Sequence, residues 1–249
     1  MLPNATPMPA PRARGGRRKL KIGLWILAGI LVFCAPLIMR TFIWQSFSIP
    51  ASSMLPTLFV GDYISVSKSA YGYSRYSLPL SPPAFSGRIF ATEPQRGDLV
   101  VFRLPRDDTV DYIKRVIGLP GDQVQMRNGM LYLNGAPVKR ERVADFVHDV
   151  NGDGIPTRVK RWRETLPNGV SYETLDMQDN GFLDNTQVYT VPAGHYFMLG
   201  DNRDNSTDSR VLTQVGYVPF DHLVGRVTTV MFSLDGGNLR FDRMSVPVR

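Results

Sequence analysis

The chain has one cysteine, Cys34, which excludes an intramolecular disulfide and any zinc centre built on cysteines. Acidic residues are missing from the first 21 positions, where Arg12, Arg14, Arg17, Arg18, Lys19 and Lys21 stand. Those six account for all but one of the net +7, so positions 22 to 249 are close to neutral. A folded part so nearly neutral lacks the basic excess that a phosphate-binding surface needs, and no nucleic acid is expected as a partner. There is no internal repeat. What is present, 43% apolar and 20% charged residues in 249, suffices for one substantial domain or two small ones and excludes a disordered or collagen-like polymer.

One long hydrophobic run stands out. From Ile22 to Met39 no residue is charged, and after Arg40 the apolar character resumes in Phe42-Ile43-Trp44. At about 1.5 Å per residue these 18 positions span roughly 27 Å of helix, near the hydrocarbon thickness of a bilayer. Phe42, Trp44 and Phe47 fall where aromatic residues gather at the headgroups, and the preceding basic cluster keeps the N-terminus in the cytoplasm. A removed signal peptide is the alternative, but no A-x-A site follows the run directly and the run exceeds an ordinary h-region. Leu31-Val32-Phe33 before Cys34 puts a bulky residue where a lipoprotein-type site needs a small one. The expected organisation is a disordered basic tail over 1–21, an anchor over 22–44 and an extracytoplasmic domain over 45–249.

That domain reads as mainly β. Its apolar runs are short and rich in β-branched and aromatic residues, as in Tyr63-Ile64-Ser65-Val66, Leu99-Val100-Val101-Phe102 and Val224 to Phe232. Turn signals bound them, among them Val60-Gly61-Asp62, Arg96-Gly97-Asp98 and Leu119-Pro120-Gly121-Asp122. Asn128-Gly129 between two apolar runs predicts a tight hairpin. Residues 69–95 read as a long loop, and about 139–187 as a polar, poorly patterned subdomain or insertion.

Three elements could carry chemistry. Ser52-Ser53-Met54-Leu55-Pro56-Thr57 follows the hydrophobic run closely, but a serine needs a base to act as a nucleophile. His148 and His222 each neighbour an aspartate and His195 lies in Gly194-His195-Tyr196, so a Ser-His-Asp arrangement stays open. Lys114, inside the strand-like Tyr112 to Gly118, would be desolvated if it faced inward, which lowers an amine's pKa and lets it accept a proton. An edge-strand lysine protecting the strand is the plainer reading. The third element, Gly200 to Arg210, intersperses Arg203 and Arg210 among Asp201, Asp204 and Asp208, as an ion-paired scaffold would. Asp149-Val150-Asn151-Gly152-Asp153-Gly154 begins like a calcium loop but has Lys160 where the closing glutamate belongs, so it reads as a turn and no metal is expected.

Taken in order, Phe47 to Leu58 with Gly61-Asp62, Arg96 to Phe102, Asp111 to Asp122 and Gly200 to Arg210 resemble the bacterial type I signal peptidases, over most of 42–125 and 188–232. The resemblance implies a signal-peptidase-like β fold behind one N-terminal transmembrane helix in the inner membrane. It implies a Ser-Lys dyad in which Ser53 attacks and Lys114 is the general base. Ser206 would orient the lysine, with Asp208 and Arg210 as a supporting ion pair and Asp201 and Arg203 beside them. The Ser53 N–H would serve an oxyanion hole. Many Gram-negative relatives add a serine hydroxyl two residues before the nucleophile, where this chain has Ala51; either a neighbouring donor such as Ser52 replaces it or the hole relies on backbone groups. Phe47, Ile49, Met54, Leu58, Tyr112 and Ile113 become candidates to line pockets for small residues at −1 and −3, with core packing as the alternative for each. The implied partners are signal peptides of exported preproteins and the lipid bilayer, with room for the export machinery, and no cofactor. A non-catalytic membrane-anchored β-domain that binds exported polypeptides is the competing reading.

Overall fold

The computed structural model describes residues 15–78, 81, 85–149 and 154–248; within its long helix, side chains are described at 21 and 23–35. Two compact units result, Met1–Arg40 and Thr41–Arg249.

The first unit holds most of an α-helix, Gly15–Phe42. It starts inside the stretch expected as a tail, and residues 1–14 of that tail lie outside the described residues. Among the described residues no helix is long and apolar enough to cross a membrane. The expected anchor boundary at 44 also shifts, because Trp44–Ser48 is already a strand.

The second unit is mainly β, as its short β-branched runs imply; outside the long helix, its helical segments among the described residues are 3-10 turns of three residues. A nine-stranded antiparallel sheet orders Trp44–Ser48, Asp62–Ser67, Leu223–Asp235, Leu99–Leu104, Asp107–Gly118, His195–Leu199 and Val218–Pro219, with two short C-terminal strands added on Leu223–Asp235. Leu99–Leu104 is central and covered on both faces, which explains its unbroken apolar run. Leu99 and Val101 enter one core with Ile64, Val66 and Val230, while Val100 and Phe102 enter another with Val116 and Met198. Each such side chain contributes about 1.5–3 kcal/mol when fully buried.

The Asn128-Gly129 hairpin forms as expected: both residues have positive φ (48° and 69°) and join Gln123–Arg127 to Met130–Leu133. Residues 69–95 are less loop-like than expected. Short turns at Ser69–Tyr71 and Arg75–Ser77 bury Tyr71 and Tyr76, and Tyr73 bridges to Ile89.

The 139–187 stretch, expected as a subdomain or insertion, holds a four-stranded antiparallel sheet between Lys139 and Asp176. Thr157–Thr165 lies between Ser171–Asp176 on one side and Lys139–Arg142 with Phe146–His148 on the other. Its ladder is patterned by charge: Arg161 and Arg163 both reach Glu173, and Arg140 reaches Asp176. Opposite charges across strands stabilise pairing but leave no apolar alternation to read. The calcium-like sequence falls on 149–154, of which 150–153 lie outside the described residues.

Candidate active site

Ser53 sits in a 3-10 turn, Ser52–Met54, entered from extended backbone at Ala51. Met54, Leu55 and Leu58 are fully buried behind it and fix the turn to the core. The Gly200 to Arg210 loop clamps it from the other side: Asn202 donates from its backbone to the Ser53 carbonyl (3.1 Å) and from its side chain to the Ser52 carbonyl (3.2 Å). The Ser53 N–H stands at the start of the turn, where the first amides have no partner within it. Ser52 Oγ accepts from Asn205 Nδ2 at 2.9 Å.

Lys114 arrives on Asp107–Gly118, paired opposite Val100. Its Nζ donates to Ser53 Oγ at 2.7 Å and to the Ile113 carbonyl at 2.9 Å, and the residue is only 3% exposed. Burial pushes the amine down from its usual 10.5 to about 8, against the pull of Asp208 and Asp201, with Arg210 adding to the lowering. The edge-lysine alternative is therefore excluded: the side chain is desolvated and aimed at a serine.

Around this pair lies a set of buried ion pairs. Arg115, the next residue along the strand, binds Asp201 through two bonds of 2.8 and 2.7 Å, and Thr57 Oγ1 donates to the same carboxylate. Arg210 holds Asp208 through two bonds of 2.9 and 2.8 Å, and the Gly200 N–H adds a third. Burial alone would raise the Asp208 carboxyl, but Arg210 and these hydrogen bonds hold it below its ordinary range. Arg203 binds Glu164 through bonds of 3.1 and 2.5 Å, and Tyr172 donates its hydroxyl to Glu164 at 2.9 Å.

Ser206 departs from expectation. Its Oγ is buried, lines the same cleft and lies close enough to Asp208 to help keep that carboxylate ionised, yet it makes no hydrogen bond of good geometry, to Lys114 or elsewhere. It packs against Gly200, where an added Cβ would overlap Ser206 and come within 2.7 Å of the Ser53 carbonyl oxygen. Gly200→Ala is expected to cost about 1–3 kcal/mol as an overpacked site. Its thermal midpoint should fall by several degrees relative to the parent chain. An unchanged midpoint in circular dichroism would show that the loop yields freely.

The active-site cleft, about 560 Å³, is lined by Ala51, Ser53, Val110, Tyr112, Ile113, Lys114 and Leu183, with Asp204 to Thr207 opposite. Tyr112 and Ile113 stand in the cleft wall as the sequence suggests. Ile49, Met54 and Leu58 do not: they are core residues. Phe47 packs partly on that core and borders a separate depression with Tyr76 and Arg103. Spacing around a nucleophile cannot separate a pocket wall from the packing beneath it.

None of the three histidines lines the cleft. His148 packs edge-on to Phe59, the His222 ring nitrogen lies 3.0 Å from the Arg103 carbonyl, and that of His195 lies 2.9 Å from the Ala193 carbonyl. The Ser-His-Asp alternative is thereby overturned. Glu164, Tyr172 and Leu183, all from the 139–187 stretch, escaped notice. Alternating charge in Arg161 to Glu164 hinted at a strand, but nothing local marks Glu164 as the partner of Arg203.

The family model "Signal peptidase, peptidase S26" matches residues 22–232. The chain is 43% identical over 210 residues to signal peptidase I of Rickettsia typhi, covering 81% of this chain and 77% of the relative. It is 42% identical over 212 residues to that of Rickettsia massiliae, covering 82% and 77%. A crystal structure of a signal peptidase I from Enterococcus faecalis V583 is 30% identical, with a TM-score of 0.34, covering 55% of this chain and 98% of that one.

Proposed function

Because the chain belongs to the signal peptidase family, peptidase S26, we propose that it is a serine endopeptidase that removes signal peptides from exported preproteins, with Ser53 as nucleophile and Lys114 as general base. The observation that carries the roles is the 2.7 Å contact of a buried, pKa-depressed amine with the Ser53 hydroxyl.

In the neutral state Lys114 accepts the Ser53 proton as Oγ attacks the scissile carbonyl. The developing oxyanion is met by the Ser53 N–H, and Ser52, which also lines the cleft, is the proposed stand-in for the hydroxyl that Ala51 lacks. The protonated lysine then donates to the leaving amine, the mature chain departs, and an acyl-enzyme remains on Ser53. The same amine next deprotonates water, which releases the signal peptide. No step asks for a cofactor or metal. Arg115–Asp201 and Arg210–Asp208 hold the lysine in place, and Asp208 tempers the effect of burial so that the pKa stays near neutral.

An open strand edge supports extended-peptide binding. The Asp107–Gly118 strand pairs with Leu99–Leu104 along one side, but with His195–Leu199 only from Arg115 onward, among the described residues. The free edge ahead of Lys114 can add a substrate strand, with Tyr112 and Ile113 shaping sites for small side chains at −1 and −3.

Residues 22–42, within the helix Gly15–Phe42, are proposed as a single anchor in a bacterial inner membrane, with the N-terminus cytoplasmic and the catalytic domain outside. Beyond the uncharged run and its basic flank, Leu24, Trp25, Ile26, Leu27, Val32 and Phe33 are all exposed on the helix. A helix apolar all round asks for lipid or protein cover.

The test is cleavage of a purified preprotein by the full chain, which Ser53→Ala should abolish. Because the base is the unprotonated amine, kcat/KM should climb about tenfold per pH unit below a pKa near 8 and level off above it. A flat profile between pH 6 and 9 would rule out Lys114 as the base.

A further inference from the structure

A second groove, about 620 Å³, adjoins the active-site cleft and shares Pro50, Ala51, Ser52 and Asn205 with it. The two lie on either side of these shared residues, next to the turn that carries Ser53, and the Asn205–Ser52 hydrogen bond fixes the ridge between them. Their walls differ in chemistry. The cleft side presents Val110, Tyr112, Ile113, Leu183 and Val211. The other side presents Val60, His148, Asp149, Leu234, Asp235 and Arg240.

This second wall is a built surface. Asp235 and Arg240 form an ion pair at 2.6 Å, and Arg240 also donates to the Val60 carbonyl at 3.3 Å. The ring of Phe59 supports both Arg240 and His148, at 5.7 and 5.0 Å. The Arg240 guanidinium is mostly covered, with its side chain 19% exposed, whereas the Asp235 carboxylate is 67% exposed.

We propose that the second groove binds the first residues of the mature chain, those that follow the scissile bond, and that it favours basic over acidic side chains at +2 to +4. This rests on the signal-peptidase reading. A polypeptide cut in its middle must leave the nucleophile in two directions. The apolar wall with its open strand edge suits the signal side, which is small and hydrophobic. The polar groove suits the mature side, which lies in water. At about 3.3 Å per extended residue, a groove of this size takes only the first few positions. The charge preference follows from the wall: Arg240 is occupied and shielded, so an incoming side chain meets chiefly the carboxylates of Asp235 and Asp149.

The test compares peptides that share one signal sequence and end after +1 or after +5, the longer ones carrying Lys or Glu at +2 to +4. With the full chain, truncation after +1 should lower kcat/KM about tenfold, since remote binding energy is lost. Val60→Trp, which fills the groove, should erase that dependence. Asp235→Lys should invert a KM preference of about two- to fivefold for Lys over Glu, the range of an exposed ion pair. Discrimination at −1 and −3 should be unchanged in both variants. Equal cleavage of short and long peptides by the parent chain would overturn the proposal. So would length and charge effects that survive both substitutions. If no peptide is cleaved in a Ser53-dependent way, the underlying signal-peptidase reading fails, and the groove assignment with it.

Discussion

Lys114→Met is expected to stop preprotein cleavage and at the same time make the protein more stable at neutral pH. The activity loss follows from removing the only base in hydrogen-bond reach of Ser53 among the described residues, and should be about 10²–10⁴-fold or more. The stability gain follows from the same burial. Lys114 titrates near 8 in the folded chain against an ordinary 10.5. Below pH 8 the folded state therefore carries an ammonium it binds less well than the unfolded chain does, a cost of about 3 kcal/mol. Methionine removes it while filling similar space. The Ser53 hydroxyl and the Ile113 carbonyl each lose one donor, at about 1 kcal/mol apiece. The balance is a gain of about 1 kcal/mol, or roughly 2–4 °C in thermal midpoint for a chain of this size. The gain should shrink from pH 8 upward and turn into a loss of about 2 kcal/mol by pH 10.5, where the parent lysine loses its charge in both states and only the lost hydrogen bonds count. His195→Ala, by contrast, should leave cleavage intact. Lys114→Met protein that still cleaves, or that is less stable at pH 7 than at pH 10 relative to the parent, would contradict this account of the site.

The lysine also marks the limit of what residue order can disclose. A charged residue in an apolar strand run is either at an edge or inside, and that depends on which strands lie beside it. Here Leu99–Leu104 covers one side and the Gly200 to Arg210 loop closes over the amine, both supplied from elsewhere in the chain. The ordered motifs carried the resemblance to signal peptidases because each holds a backbone or charge requirement locally. Asn128-Gly129 was legible for the same reason, since its two positive φ angles are met by its own residues. Ile49, Met54 and Leu58 show the opposite case: nearness to the nucleophile in sequence suggested a pocket, while three-dimensional packing put them beneath it. The 139–187 stretch was opaque because its strands pair through charges instead of apolar alternation.

Glu164 makes that opacity consequential, and Glu164→Ala is expected to be among the most destabilising single changes in the domain. The carboxylate is 1% exposed and accepts from both Arg203 amino groups and from Tyr172. Burial alone would lower the Arg203 pKa, but Glu164 and its neighbours push it above its ordinary value, so the guanidinium stays charged. Removing Glu164 leaves that charge buried without its main partner, at about 3–5 kcal/mol, a large share of the 5–15 kcal/mol that stabilises a typical domain. The effect should reach the active site, because the Arg203 carbonyl accepts from Arg210 Nη2 at 2.5 Å and Arg210 holds Asp208 beside Lys114. Glu164→Ala should therefore unfold at a lower urea concentration and lose activity. The double variant Glu164→Leu with Arg203→Met separates the two effects. Replacing both ions with apolar groups should restore most of the stability. If the pair serves only to hold the loop together, activity and its pH midpoint return as well. If the buried charges also tune Lys114, the refolded double variant keeps a displaced pH midpoint. A single Glu164→Ala variant as stable as the parent would show that Arg203 finds another counter-ion, and the buried sheet would then be packing without a hold on the catalytic loop.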